Sequence, residues 1–525
     1  MFRAGLPHHH VLRTFSSFVE PKIDLTPAEE KLFEVLQFIR KKYAPKATLR
    51  VAGGWVRDKM LGIPSDDIDI ALDTMTGEAF VKKILHFQNT AGVPVKGFYI
   101  VKKNAEQSKH LSCAAIKLLG HELDFVHLRN ESYSDPTSRI PTLSETLATP
   151  KEDAMRRDIT INALFYNLST RSIEDFTGKG LIDLDRGVIR TPLAPMETFL
   201  DDPLRVLRAV RFAAQYDFKL DSALRQAIQS ERVQEALTKK VTRERIGIEV
   251  RKMLSGANPH QAMTLLNQAR LEAIVFPFIS QENILSGLSC LQFVQASERN
   301  PSQNQFEKEQ FDPRHMLASF MAHPLSNDGS EAVNQSIQAM LNIEVPVVDD
   351  VMLVEAALSY IRQSQEMDNQ ANKRMTDAIK NELKWSKVES KHVADLLDAF
   401  NRFIFLASAR PDNQVLAIHL AMWCRSVHGS RFDQAMPMLW HVANPSAPAA
   451  SSKVEELRKS SWAKIEPIKI MMDARELNSL LKGSKWNLSH MIELVAVWEW
   501  MNPEKSLEDE RVFIQKVLKP LVVKP

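Results

Sequence analysis

Asp67 and Asp69 stand two residues apart in SDDIDIALD, a stretch otherwise dominated by aliphatic residues. On a β-strand alternate side chains face opposite ways, so these two carboxylates share one face while Ile68 and Ile70 share the other. Like charges at that spacing repel. A divalent cation between them removes the conflict, and two oxygen ligands completed by substrate phosphates suit Mg²⁺. Upstream, Gly53 and Gly54 precede WVRDKML. A Gly-Gly turn lets backbone approach a phosphate closely, and the N-terminus of the helix it opens presents N–H groups and a positive dipole end to the anion. Arg57, one turn in, would clamp the same phosphate. The set reads as a metal–triphosphate site; the plainer alternative is a turn with solvated aspartates. Asp124, in the hydrophobic run ELDFVHLR, is costly to bury without a partner. It is either a third carboxylate for two-metal phosphoryl transfer or a surface acid on an edge strand.

Several elements must position these groups. LTPAEEKLFEVLQFIRKKY predicts a helix begun by Thr26 and Pro27, with Leu32, Val35, Leu36 and Ile39 on one face. LRVAGG reads as a strand entering a turn, GWVRDKMLG as a short helix, DIDIALD as a strand and EAFVKKILHF as a helix. HLSCAAIKLL and HELDFVHLR flank Gly120 and predict a hairpin. Residues 130–150 are polar and rich in Ser, Thr and Pro, the composition of a loop beside a site or of a linker. Beyond Pro192 strand signals nearly vanish and helical spacing takes over, interrupted by polar breaks at ERNPSQNQFEKEQFDPR and NPSAPAASSKVEE.

The chain has 525 residues, so several domains are expected. An apolar content of 44% suffices for a large core. A net charge of +2 leaves nucleic-acid binding to a local basic stripe. With 3 Cys, a disulfide framework or zinc site is not expected, and a reducing compartment is. No apolar run approaches the length of a membrane span. MFRAGLPHHHVLRTFSSFVE has no acid before Glu20, the composition of a mitochondrial transit peptide or of a disordered leader.

GGWVRDKMLG…DDIDIAL resembles the first motif of the DNA polymerase beta nucleotidyltransferase superfamily. More narrowly, it is similar to the bacterial and eukaryotic tRNA nucleotidyltransferases, the CCA-adding enzymes. The likeness continues in order through EDAMRRDITINALFYN, DFTGKGLIDLDRGVIRTP, FLDDPLRVLRAVRFA and TRERIGIEVRKML. The resemblance implies an α+β fold, with a polymerase-beta-like mixed-sheet head followed by an all-helical neck, body and tail. The expected boundaries are a leader over 1–25, head 26–191, neck 192–275, body 276–445 and tail 446–525. It also implies Asp67 and Asp69 as ligands of Mg²⁺, and Asp124 as a further catalytic carboxylate. Gly53, Gly54 and Arg57 would hold the triphosphate. Arg157, Asp158 and Asn162 would contact ribose and phosphates, and DFTGKGLIDL would be a flexible link between head and neck. Asp202 and Arg205 would read the incoming base, with Arg208 and Arg211 nearby on the same helix. The implied partners are the tRNA acceptor end, CTP and ATP, with no membrane. A monomer or weak dimer is expected, in mitochondria and in cytoplasm or nucleus.

Base choice follows from donor and acceptor chemistry. A carboxylate accepts and a guanidinium donates. Cytosine and adenine each present an amino group beside a ring-nitrogen acceptor, whereas uracil and guanine present a carbonyl beside a ring N–H. Residues three apart share a helix face, so one Asp and one Arg match C and A. The alternative for Asp201 or Asp202 before Pro203 is an ordinary helix cap. Arg208, Arg211, Arg243, Arg245, Arg251 and Lys252 either bind phosphate backbone or pair with Glu244 and Glu249. Trp486, Trp498 and Trp500 read as packing residues. The rival functions are an A-only adding enzyme or poly(A) polymerase on the same head, and a catalytically silent RNA-binding protein.

Overall fold

The structure, a computed structural model, describes residues 22–65, 67–91, 96–101, 113–128, 131–132, 142–143, 147–298, 311–322, 332–337, 349–366, 369–408, 413–426, 431–444, 456, 470–484 and 486–523. Asp66, residues 1–21 of the expected leader, most of the 130–150 stretch and most of both polar breaks lie outside the described residues. The chain divides into two compact units: residues 1–249 with 268–274 and 305–307, and residues 250–267 with 275–304 and 308–525.

The first unit is built on a mixed sheet. Helix α1 (Pro27–Tyr43) starts in a capping box, Thr26 Oγ1 accepting from Glu29 N and Glu29 Oε2 accepting from Thr26 N at 2.7 Å. Its buried stripe is Leu32, Phe33, Leu36 and Ile39. Strand β1 (Leu49–Ala52) leads into α2 (Gly54–Met60), β2 (Ile68–Leu72) and α3 (Gly77–Ala91). Glu29 ties α1 to α2 by accepting from Trp55 Nε1 at 3.2 Å and Lys59 Nζ at 2.6 Å. Next come β3 (Lys96–Val101), β4 (Cys113–Leu118) and β5 (His121–His127). β4 and β5 form the expected hairpin, its two turn residues Leu119 and Gly120 both at positive φ (49° and 88°). β6 (Glu131–Ser132) and β7 (Thr142–Leu143) pair with each other, while β8 (Phe165–Asn167) and β9 (Ser172–Glu174) complete the main sheet. Its order is β3-β4-β5-β2-β1-β8-β9, parallel between β2 and β5 and antiparallel elsewhere.

The two faces of β2 are used differently. Ile68, Ile70 and Leu72 are fully buried. Across the β2–β5 register, Phe125 pairs with Ile70 and packs on Phe80 of α3 with ring centroids 5.5 Å apart. Helix α3 begins hard against β5: a Cβ on Gly77 would stand 2.0 Å from the Phe125 carbonyl oxygen, so only glycine fits. The opposite face carries Asp69, then Ala71, which joins a cluster with Ala52, Leu128, Ala154, Ala163 and Phe165.

The remaining helices of this unit are α4 (Pro150–Met155), α5 (Gly180–Arg186), α6 (Pro195–Asp201), α7 (Leu204–Tyr216), α8 (Ser222–Ile228), α9 (Glu231–Lys240) and the start of α10 (Arg243–Leu254). A small parallel pairing of Val188–Ile189 with Lys219–Leu220 is not announced by the residue pattern.

The second unit is helical, and its described residues hold a single isolated bridge, Ser484 with Val523. Phe400, Phe403 and Trp423 are buried in its core. Trp498 donates to Asp350 Oδ1 at 2.9 Å and stacks on Phe513, the packing role expected of it. No helix among the described residues is long and apolar enough to cross a membrane. The architecture is the expected α+β arrangement, a mixed-sheet head followed by helices.

Candidate active site

Parallel pairing of β2 with β5 sets Asp69 opposite Asp124, so both side chains leave the sheet on one face. Asp67, one residue before β2, is exposed; Asp69 and Asp124 are half-buried. Burial is the main influence pushing the Asp69 carboxyl up to about 6, the charges of Asp67 and Asp124 add to it, and Arg157 opposes it. Among the described residues no three His, Cys, Asp or Glu side chains gather as a protein-only metal centre. Two carboxylates with crowded negative charge therefore fit a divalent cation that takes its other oxygens from nucleotide phosphates.

Gly53 is the hinge of the turn expected to face those phosphates. Its φ is +72°, and a Cβ there would meet Arg157 Nη1 at 2.9 Å. Arg157 is held in place from three sides. Its Nη1 donates to the Asn162 carbonyl at 3.0 Å, its Nε and Nη2 donate to Asp153 Oδ2 at 3.1 and 2.9 Å, and its guanidinium lies over the Phe165 ring. Its charge opposes the upward shift of the Asp69 carboxyl.

Arg57, expected to hold the triphosphate, has hydrogen-bond partners within the chain. It is buried, donates from Nε and Nη2 to Asp58 Oδ1 at 2.9 and 2.8 Å and from Nη1 to Asn162 Oδ1, and lies over the rings of Phe212 and Tyr216. The guanidinium thus meets two rings and is hydrogen-bonded along its edge. In this arrangement Arg57 joins α2 to α7.

Asp158 and Asn162 are likewise committed to the interior. Asp158 Oδ1 accepts from Ile159 N and from Asn162 Nδ2 at 2.9 and 3.2 Å, and Oδ2 accepts from Arg208 Nε at 2.8 Å. Burial alone would raise its pKa; the Arg208 charge and these hydrogen bonds overcome that and hold it well below the usual carboxylate range. The Asn162 amide bridges Arg57 and Asp158. Arg208 and Arg211 are ion-paired: Arg211 Nε reaches Glu249 Oε2 at 2.7 Å, and Arg208 lies between Asp158 and Glu249. One polar chain thus runs from Asp58 through Arg57, Asn162, Asp158 and Arg208 to Glu249, linking α2, α7 and α10. The DFTGKGLIDL segment, the expected link between head and neck, carries several internal hydrogen bonds. Asp175 Oδ1 accepts from Thr177 and Gly178, and buried Asp183 accepts from Thr160 Oγ1 at 2.7 Å and from Arg190.

Asp202 and Arg205 are adjacent but do not share a helix face. Asp202 has extended backbone (φ −134°, ψ 97°) in the break between α6 and α7, and Pro203 and Leu204 begin the next helix. The cap alternative is partly realised, because Leu204 N donates to Asp202 Oδ1 at 3.3 Å. Arg205, on α7, donates from Nη2 to the Arg156 carbonyl at 2.8 Å.

Asp153 went unrecognised in the residue pattern, and its partners explain why it matters. It is buried between Arg156 and Arg157, and α4 presents it after a capping box of Thr149 and Glu152. The box followed by two arginines was the available signal. Burial is the largest influence on Asp153 and would raise its pKa, but the charges of Arg157 and Arg156 outweigh it and bring the carboxyl to about 2. Its unfolded value is the ordinary 3.8. Between these values the unfolded chain takes up a proton that the folded chain refuses, so the stabilisation is full above pH 4 and lost toward pH 2. We expect the wild type to lose about 2 kcal/mol more than Asp153→Asn over that window, read from urea unfolding at each pH.

Comparison with known proteins places these motifs. Residues 49–190 match the poly A polymerase head domain, and residues 217–282 match the probable RNA and SrmB-binding site of polymerase A. The mitochondrial CCA tRNA nucleotidyltransferase of Saccharomyces cerevisiae is 45% identical over 276 residues, covering 50% of this chain and 50% of that protein. The mitochondrial CCA tRNA nucleotidyltransferase of Candida glabrata is 42% identical over 275 residues, covering 50% and 51%. The chain thus spans about half the length of these curated relatives. The Bacillus stearothermophilus CCA-adding enzyme in complex with CTP superposes with a TM-score of 0.56 at 17% identity, over 93% of this chain and 96% of that one, a likeness of fold. The segment holding Asp67, Asp69, Asp124, Arg157 and Asp158 matches the poly A polymerase head domain, and half of the chain is similar to the mitochondrial CCA tRNA nucleotidyltransferases of these two yeasts.

Proposed function

We propose that this protein adds C, C and A in turn to the 3′ end of tRNA, consuming CTP and ATP and releasing pyrophosphate. The observation that carries the reading is the register of Asp69 against Asp124 beside Asp67, with the charge of Arg157 acting on Asp69. Mg²⁺ bound by Asp67 and Asp69 with phosphate oxygens would supply the charge that eases loss of the 3′-hydroxyl proton and departure of pyrophosphate. Arg157 neutralises phosphate charge, and Gly53 leaves room for it. Asp202 accepts from the amino group of cytosine or adenine, and Arg205 donates to the neighbouring ring nitrogen. Uracil and guanine would leave buried polar groups unpaired, at about 1–3 kcal/mol each. The neck over 192–275 carries this base reading, while the body and tail hold the tRNA acceptor end by shape and phosphates. The names of the matched yeast relatives and the acid-poor leader support a mitochondrial location, with a second pool in cytoplasm or nucleus.

Transcripts of tRNA lacking CCA, ending in C or ending in CC test the reading with Mg²⁺ and each nucleotide separately. Two C residues from CTP, followed by one A once ATP is present, are expected. Addition of A to the CC end alone would replace the reading with an A-adding enzyme, and long A tails with a poly(A) polymerase.

A further inference from the structure

Arg245, on α10, grips Asp202 with both ends of its fork. Its Nη1 and Nη2 donate to Asp202 Oδ1 and Oδ2 at 3.1 and 2.8 Å, and both side chains are largely buried. Leu204 N takes a second site on Oδ1 at 3.3 Å. Each carboxylate oxygen offers about two acceptor positions. Oδ1 therefore spends both within the chain, whereas Oδ2 spends one on a described residue. Asp202 also lies outside both helices, on extended backbone, so neither α6 nor α7 fixes its side-chain direction. A planar guanidinium does, because two parallel hydrogen bonds admit one orientation of the carboxylate plane.

We propose that Arg245 is a positioning residue for base choice, clamping Asp202 so that Oδ2 alone presents an acceptor to the incoming base. The inference rests on the base-reading function proposed above and sharpens it to one atom. With the carboxylate fixed, an amino group of cytosine or adenine finds its acceptor in line, and the carbonyl of uracil or guanine meets a second acceptor that cannot turn away. With the carboxylate loose, rotation and a bridging water relieve that clash, and discrimination falls. The charge of Arg245 also opposes the effect of burial on Asp202, aided by Arg205, so the group stays an acceptor. A lysine would supply the charge without the fork.

The test is equilibrium binding of CTP and UTP to the full-length protein without tRNA, for wild type, Arg245→Lys and Arg245→Ala, alongside their thermal melts. Wild type should prefer CTP. In Arg245→Lys the preference should fall about tenfold, the factor equivalent to one poorly met buried polar group, with UTP affinity rising relative to CTP. Should Arg245→Ala fail to fold, the lysine variant carries the test. A purely structural role would weaken both nucleotides in parallel; an unchanged ratio in Arg245→Lys overturns the clamp while leaving base reading intact. Equal binding of CTP and UTP by wild type would overturn base reading itself, and the clamp with it.

Discussion

Asp69→Asn should abolish nucleotide incorporation and, in the absence of divalent cations, make the protein more stable. Both effects have one cause. Asp69 is half-buried, with Asp67 one turn of the pleat away and Asp124 beside it in register. Burial first, then those two charges, push its carboxyl up to about 6. A group whose folded pKa exceeds its unfolded one costs stability once the unfolded chain ionises and the folded chain does not, here from about pH 4 upward to 6. The melting-temperature gap between Asp69→Asn and wild type in chelator should therefore open over that window and stay constant above it. Added Mg²⁺ should close the gap by stabilising wild type selectively. Asparagine has the same shape but cannot bring a charge to the metal, and loss of metal-based charge stabilisation is worth several kcal/mol, on the order of a thousandfold in rate. Retained incorporation would remove Asp69 from the metal site. A chelator melt lower than that of wild type would show that the carboxylate is a structural anchor.

Some of this arrangement is legible in residues alone, for identifiable reasons. DIDI declares a strand by its alternation, and the faces it implies are those observed: Ile68 and Ile70 inside, Asp69 on the other face. Thr26, Pro27 and Glu29 declare the start of α1 because a capping box is a local device. The hairpin about Gly120 is local as well. What escapes is whatever depends on distant partners. Parallel pairing of β2 with β5 joins strands separated by a helix and a hairpin, so nothing near Asp69 says that Asp124 is its neighbour rather than an edge acid. β3 is not announced by the pattern, although KGFYIV contains aromatic and branched residues. DDPL fits a helix cap and an interhelical break equally well, and the break won: α6 ends at Asp201, leaving Asp202 extended. Charge identity is equally blind to context. Arg57 and Arg157 both follow glycine-bearing or acidic motifs, yet Arg57 pairs with its neighbour Asp58 and lies over two rings of α7, while Arg157 pairs with Asp153 and opposes the upward shift of Asp69.

That contrast yields a second large effect. Arg57→Ala should lower the unfolding free energy by about 3–5 kcal/mol, the usual consequence of leaving a buried charge without its partner. Asp58 is 1% exposed, and its Oδ1 accepts Arg57 Nε and Nη2 and the Tyr216 hydroxyl, the last at 3.1 Å. Removing the guanidinium strips two of those donors, opens a gap against the rings of Phe212 and Tyr216, and frees the Asn162 amide that orients Asp158. Arg57→Lys should recover little, because an ammonium supplies neither the fork nor the flat face that meets the two rings. Urea unfolding paired with the CTP KM separates this role from the phosphate clamp the Gly-Gly-x-x-Arg spacing suggested. A clamp predicts a raised KM with the urea midpoint unchanged. A structural role predicts a midpoint that falls sharply, and, in whatever fraction remains folded at low temperature, a KM that moves less than it does on replacing Arg157, the cation whose charge acts on Asp69.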